Sequence, residues 1–233
     1  MACTGDQSLA KAAHRRSCSR SKARHRRLTP WSVCLAPVLL ALLASTTPAA
    51  ALELILLRHA DKDVARGDFN LSPQGFQRAM GLARLIPGCF GNPDRIISFF
   101  FDPLSGKNSR SYQSAVPLAV ATGTPIQIAL DSPGASQRIG EGIRRGRYGK
   151  DQRLVLFWEH RRMPVLAQGL GWPGMEPIAD DDFDALFVFR YAAAGAAPQV
   201  QALRQAQLSQ LPCFRNTALP WEQLQTTASP SRR

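Results

Sequence analysis

Two histidines in this chain stand directly after runs of apolar residues. His59 follows the stretch "LILLR", and His160 follows "LVLFWE". The other two histidines, His14 and His25, lie in a basic N-terminal segment. In an open α/β sheet, ligands bind outside the carboxyl ends of the strands, so two imidazoles at strand ends are expected to face one crevice. Because imidazole can act as a nucleophile, a proton donor or a metal ligand, the pair predicts a reactive site.

Two arginines accompany these histidines. Arg58 adjoins His59, and Arg110 opens a helical pattern in "KNSRSYQSA". A guanidinium group carries a fixed fork of donors that fits a tetrahedral oxyanion, and a helix N-terminus adds a partial positive charge. A single arginine is as well explained by a solvated surface. The set of two histidines and two arginines, however, predicts a pocket for a phosphate group.

The elements that position these residues follow from the apolar pattern. Strands are predicted over 52–57, 95–101, 125–130, 153–158 and 185–191, because near-continuous apolar runs are typical of strands buried on both faces. Alternating helices are predicted over 72–88, 109–123 and 163–171, the first with Ser72 as N-cap, Pro73 at its first position and Gly88 at its end. This order predicts a three-layer α/β fold, with a mostly parallel sheet and helices on both faces.

The N-terminal 51 residues have the pattern of a secretory signal peptide. Residues 11–27 are mainly basic or small, residues 31–44 are apolar, and Ala49-x-Ala51 resembles a cleavage site. We therefore expect a periplasmic or secreted protein without stable membrane association, or a membrane-anchored one if the signal is not cleaved. The folded domain is expected over residues 52–219, followed by a polar tail over 220–233.

Removal of this leader changes what charge and cysteine content imply. The whole chain has a formal net charge of +12, but the leader holds eight basic residues and one acidic residue, so the remainder carries +5. The composition therefore gives little support for nucleic-acid binding. Cys89 and Cys213 remain, and two thiols in an oxidising compartment can form a disulfide, although their spacing does not show that they are neighbours.

Four motifs resemble those of the histidine phosphatases, the phosphoglycerate mutase-like superfamily. The family begins with Arg-His-Gly after a strand and continues with L-S/T-x-x-G-x-x-Q/R-A, R-x-x-x-T-A and a second histidine that ends an apolar strand. The counterparts here are "LLRHA" (56–60), "LSPQGFQRA" (71–79), "RSYQSA" (110–115) and "LVLFWEH" (154–160). Ala60 replaces the usual glycine, and Ser114 replaces the threonine. The resemblance spans residues 52–191.

The resemblance implies a role for each residue of the predicted pocket. His59 would attack phosphorus in line and become a phosphohistidine, which water would then hydrolyse. Arg58, Arg110 and His160 would bind the phosphoryl oxygens and stabilise the charge of the transition state. The implied activity is hydrolysis of a phosphorylated small molecule, and it needs no metal or other cofactor.

The general acid is the residue that the motifs identify least well. In the family it often lies between the second arginine and the second histidine, where Glu141 stands. Glu159 is a second candidate, although strand alternation would point its side chain away from that of His160. Glu141 is preferred, within a segment, 131–152, expected to be a loop that contacts the leaving group.

Two alternative functions stay open at this point. His59, Asp61 and His160 could bind an ion in a metal-dependent phosphoesterase. A non-catalytic phosphate-binding module with the same pocket is the other alternative, because the acid is uncertain. No motif identifies the substrate or the oligomeric state.

Overall fold

Six strands form one mixed sheet in the computed structural model, which describes residues 52–130, 132, 134–149 and 152–222. The strand order across the sheet is β3-β2-β4-β1-β5-β6. The first four strands pair in parallel, whereas β5 is antiparallel to both β1 and β6. The strands are β1 (Leu52–Arg58), β2 (Arg95–Ser98), β3 (Ile126–Ile128), β4 (Arg153–Trp158), β5 (Ala185–Tyr191) and β6 (Gln199–Arg204).

Helices lie between the parallel strands and after the sheet. They are α1 (Pro73–Phe90), α2 (Ser109–Thr122), α3 (Ala135–Arg144), α4 (Met163–Gly169), α5 (Gln205–Leu208) and α6 (Pro212–Arg215), with a 3₁₀ turn at His160–Arg162. Ser72 caps α1 as predicted, since its Oγ accepts a hydrogen bond from the amide of Gly75. The predicted end at Gly88 is wrong: α1 runs on to Phe90, and Gly91 follows it with a φ of 92°.

The two faces of the sheet are covered by different helices. Leu54 and Leu56 of β1 pack in a core with Ile143 of α3 and Leu166 of α4. The alternate residues of β1 pack in a second core with residues of α1 and α2, namely Ile55 and Leu57 with Leu82 and Leu118. The prediction of a three-layer α/β fold is therefore confirmed, with the correction that the sheet is mixed.

The register between β1 and β4 decides where the functional residues leave the sheet. Arg58 pairs with Trp158, so the two parallel strands end level with each other. The amide of His59 donates to the carbonyl of Trp158 across this end, at 3.2 Å. His59 and His160 therefore emerge at the same edge of the sheet, as predicted from their places after the two apolar runs.

The segment that follows His59 lies close against the start of α1. The amide of Ser72 donates to the carbonyl of Asp61, at 3.0 Å. A Cβ atom on Gly75 would lie 2.2 Å from that same carbonyl oxygen, so no larger residue fits there without a backbone shift. This close approach fixes the loop that begins at the nucleophile candidate.

A disulfide joins the other end of α1 to the C-terminal segment. Cys89 in α1 and Cys213 in α6 are bonded, with their Cα atoms 4.9 Å apart and a sequence separation of 124. A cross-link over so long a loop removes much of the entropy of the unfolded chain. The question that the cysteine count left open is thus answered.

The predicted signal peptide and residues 223–233 of the predicted tail, 220–233, lie outside the described residues. Both stay predictions. Within the described part of the chain, no helix combines the length and apolar character needed to cross a membrane.

Candidate active site

A pocket of about 140 Å³ opens at the carboxyl ends of β1 and β4. Three of the five predicted site residues line it: His59, Arg110 and His160. The two imidazole rings have their centroids 6.3 Å apart, at an interplanar angle of 82°. The remaining lining residues are Lys62, Asn108, Ser111, Glu159 and Arg161. The pocket is therefore mainly basic, with one carboxylate on its wall.

His59 is held in a single tautomer. Its side chain is buried, and its Nδ1 lies 2.7 Å from the carbonyl oxygen of Ala60. Because a carbonyl oxygen can only accept, Nδ1 must carry the hydrogen, which leaves the lone pair on Nε2. Burial lowers the pKa of His59 to about 3, and the positive charges of Arg58 and Arg110 act in the same direction against the bond to Ala60. At neutral pH the residue therefore has the unprotonated nitrogen that a nucleophile requires.

His160 lies between two carboxylates. Its Nε2 is 2.6 Å from Oδ1 of Asp180, and its Nδ1 is 2.9 Å from Oε1 of Glu159. The second contact is close in distance but lacks hydrogen-bond geometry, so Nδ1 has no hydrogen-bond partner in the described chain. Burial lowers the pKa of His160, and the hydrogen bond to Asp180 opposes that shift. The same bond lowers the pKa of Asp180, which keeps this carboxylate ionised and makes Nε2 of His160 the donor.

Arg58 does not line the pocket, contrary to the prediction for this residue. Its side chain is buried, and its terminal nitrogens donate to backbone carbonyls of residues 179–184, which we call the acidic strap. These three bonds, each 2.9 Å long, go to Ala179, Asp180 and Asp182. The guanidinium also stacks 3.9 Å from the ring centroid of Phe183. Arg58 therefore acts on the site through its charge, which lowers the pKa of both histidines.

Arg110 occupies the predicted place at the beginning of α2. Its Nε donates to the carbonyl of Asn70 at 2.8 Å, and its Nη2 donates to the carbonyl of Asp68. These two bonds hold the side chain beside the pocket and do not use Nη1. Arg110 thus keeps one donor nitrogen available for an anion.

The structure separates the two candidate acids. Glu141 lies on α3, where Gln137 donates to its carboxylate at 3.2 Å. It lines a separate cavity of about 690 Å³ beside β3, which contains neither histidine of the site. The expected loop over residues 131–152 is therefore wrong where α3 forms, and the preferred acid is not brought to the pocket.

Glu159 is the carboxylic acid that lines the pocket. The expectation that strand alternation would turn it away from His160 is wrong, because β4 ends at Trp158 and the chain enters a 3₁₀ turn at His160. Once the strand has ended, consecutive side chains need not point to opposite faces. Glu159 and His160 are consequently in contact.

The trio proposed for a metal ion does not come together. The carboxylate of Asp61 is bound by Arg78, whose Nε lies 2.6 Å from Oδ2 and whose Nη2 lies 3.3 Å from Oδ1. The carboxylate of Asp61 is therefore paired with Arg78 of α1 and is not part of a common site with the two histidines. Within residues 52–222, as far as they are described, no group of three His, Cys, Asp or Glu side chains is arranged to hold a metal.

The acidic strap was missed because of the direction of β5. Within the strap, residues 180–184 read "DDDFD", which is the composition of a surface turn. In a parallel sheet, a segment that precedes a strand lies at the edge opposite to the site. Since β5 is antiparallel to β1 and pairs Leu186 with Leu57, the strap arrives at the carboxyl end of β1 instead.

Comparison with known proteins gives neighbours in structure but not in sequence. No family model and no curated protein matches the chain. The protein histidine phosphatase SixA, in complex with tungstate, has a TM-score of 0.48 and 13% identity over 67% of this chain and 99% of its own. A proposed alpha-ribazole-5'-P phosphatase of Escherichia coli has a TM-score of 0.47 and 15% identity, over 66% and 96%. A mycobacterial glucosyl-3-phosphoglycerate phosphatase has a TM-score of 0.45 and 16% identity, over 65% of this chain and 97% of its own.

The low pKa of His59 predicts how stability depends on pH. With a pKa of about 3, His59 stays neutral in the folded protein, whereas in the unfolded chain it is protonated below about pH 6.5. Protonation therefore favours the unfolded chain. His59 has no effect of this kind above pH 6.5, and it destabilises the fold progressively as the pH falls toward 3. Between pH 8 and pH 5, we expect the wild type to lose about 2 kcal/mol more unfolding free energy than His59→Gln. Urea denaturation at both pH values measures this difference. Equal losses would mean that His59 titrates normally.

Proposed function

We propose that the protein is a phosphomonoesterase that forms a phosphohistidine on His59. The observation that carries this function is the state of that side chain. Its Nδ1 hydrogen is held by the Ala60 carbonyl, its pKa is about 3, and its ring lines a basic pocket. A neutral imidazole beside fixed positive groups is suited to attack phosphorus in an anionic ester, because the attacking nitrogen needs no prior deprotonation.

In the first step, Nε2 of His59 forms a bond to phosphorus while the bond from phosphorus to the ester oxygen breaks. The electron pair of that bond leaves with the ester oxygen. Arg110 and the Nε2 hydrogen of His160 donate to the non-bridging oxygens, and the buried charge of Arg58 adds to the positive field. Such fixed charges lower the barrier because they need no reorganisation as the transition state forms.

Glu159 is proposed as the group that protonates the leaving oxygen. It is the carboxylic acid of the pocket wall, and an alkoxide without a proton is a poor leaving group. In the second step the resulting carboxylate accepts a proton from water, whose oxygen attacks the phosphohistidine. Free phosphate leaves, and His59 and Glu159 return to their initial states.

One contact of the acidic strap, from Asp180 to His160, must break before phosphate can bind as proposed. The Asp180 carboxylate occupies Nε2 of His160, and three strap carbonyls accept from the terminal nitrogens of Arg58. The carboxylate of Asp180 thus lies where Nε2 of His160 would bind an oxygen of the phosphate. A phosphate would therefore displace at least the side chain of Asp180, 67% of which is exposed and free to turn toward solvent.

This occupation of the donors favours one competing function, a non-catalytic phosphate-binding module. In such a protein the strap would stay over Arg58, and an anion would bind near Arg110 without reacting. Turnover distinguishes the two functions, since the module would bind phosphate and hydrolyse nothing.

The central prediction is metal-independent hydrolysis that depends on His59. Purified protein should hydrolyse p-nitrophenyl phosphate in the presence of EDTA, and His59→Ala should lower kcat by at least about a thousandfold because the nucleophile is lost. Acid-labile labelling of His59 by a radioactive phosphomonoester would identify the intermediate. Activity that EDTA removes would favour a metal-dependent enzyme, and phosphate binding without turnover would favour the module.

The assignment of the acid predicts a dependence on the leaving group. Glu159→Gln should lower kcat/KM, which reports the step that releases the leaving group, about a hundredfold for an alkyl phosphate and much less for p-nitrophenyl phosphate, because nitrophenolate leaves without protonation. Glu141→Gln is the matched control, since Glu141 lies in the other cavity, and it should retain wild-type rates on both substrates. Equal losses on the two substrates in Glu159→Gln would exclude the acid role.

Competition by the strap predicts a gain in anion affinity when its carboxylate is neutralised. Asp180→Asn should lower the Kd for inorganic phosphate by about tenfold, because one negative charge at His160 is removed. Asp181→Asn changes the neighbouring exposed carboxylate, which has no hydrogen bond or ion pair to a described residue, and should have little effect. Calorimetric titration at fixed ionic strength measures both. Weaker phosphate binding in Asp180→Asn would show that Asp180 supports the site instead.

A further inference from the structure

One buried hydroxyl at the pocket has no hydrogen-bond partner among the described residues. The side chain of Ser111 is 1% exposed, and its Oγ makes no hydrogen bond within the described chain. The residue nevertheless lines the pocket together with His59 and Arg110. Buried polar groups are nearly always paired, so an unpaired hydroxyl beside a cavity indicates a partner that enters the cavity.

A second serine on the same helix shows the usual arrangement. Ser114, also buried, donates from Oγ to the carbonyl of Arg110 and accepts from the amide of Ala60. A helical serine can make such a bond to the carbonyl four residues before it. For Ser111 that carbonyl belongs to Lys107, which accepts instead from the amide of Asp102. Ser111 does not use the bond that Ser114 uses.

The place of Ser111 in α2 favours an anionic partner. It is the third residue of a helix of 14 residues, where the unpaired amides give the helix end a partial positive charge. Asn108, which precedes the helix with a φ of 66°, and Arg110 line the same pocket. Ser111, Asn108 at the helix end and Arg110 thus border one small volume.

We propose that Ser111 binds the phosphoryl group, its Oγ donating a hydrogen bond to a non-bridging oxygen of the bound phosphate. The inference rests on the proposed function, which supplies the phosphate but assigns its ligands only to Arg110, His160 and the field of Arg58. Ser111 adds a hydrogen-bond donor to the phosphate site from the side of α2. The hydroxyl left unpaired by the protein then has a partner when the anion is bound.

The test compares Ser111→Ala with the wild type and with Ser136→Ala. Ser136 is a similarly buried helical serine outside this pocket, and its hydroxyl accepts from Trp158 Nε1 at 3.2 Å. Ser111→Ala should raise the calorimetric Kd for inorganic phosphate by about ten- to a hundredfold, since a bond to a charged group is lost. Its melting temperature without phosphate should stay the same or rise, because the hydroxyl has no internal partner. Ser136→Ala should instead melt lower and keep the wild-type Kd.

The outcomes separate this inference from the function on which it rests. Wild-type protein that binds no phosphate would overturn both. Wild-type protein that binds phosphate, together with Ser111→Ala of equal affinity, would overturn only the role of Ser111. A crystal structure of the wild type with vanadate provides a second measurement, which does not depend on a variant. Ser111 Oγ about 3 Å from a vanadate oxygen is expected, and a distance beyond hydrogen-bond range would overturn the role.

Discussion

The level pairing of β1 with β4 is the constraint on which the rest of the site depends. Residues 58 and 158 face each other in adjacent parallel strands, so the chain leaves the sheet twice at one edge. A slip of one residue in a strand reverses the face of every side chain. Because both faces of β1 are packed against apolar helices, such a slip would expose or crowd two cores at once. Packing of the sheet thereby fixes the relation between the two histidines.

Electrostatics then distinguish the two rings, although the pKa of both is lowered. His59 is buried beside two arginines, and both conditions disfavour its protonation. His160 is buried as well, but it contacts two carboxylates that favour its protonation. Different surroundings of two titratable groups are a common basis for dividing roles in an active site. Here the difference follows from the loops that reach each ring, since the acidic strap contacts His160 through the carboxylate of Asp180.

What the sequence predicted correctly depends on local pattern and on strand ends. The apolar runs before His59 and His160 located both residues, and Ser72 marked the start of α1. The failures arise where local sequence does not encode the outcome. The exposed edge strand β6 lacks an apolar run, and the direction of β5 depends on tertiary pairing. Glu159 was misjudged because strand alternation was applied beyond Trp158, where β4 ends as predicted. Arg58 was placed correctly along the chain, but its hydrogen-bond partners lie more than 120 residues away.

The cross-link between Cys89 and Cys213 lies at the far end of the helix that begins beside the nucleophile loop. From Ser72 to Cys89, α1 rises by about 26 Å. The disulfide therefore lies at one end of α1, and the loop that carries His59 lies at the other end. Reduction would remove the covalent link between α6 and α1 while the close approach of Asp61 to Gly75 remained. The oxidation state of the surroundings should therefore govern how long the folded molecule survives, and leave the shape of its reaction centre unchanged.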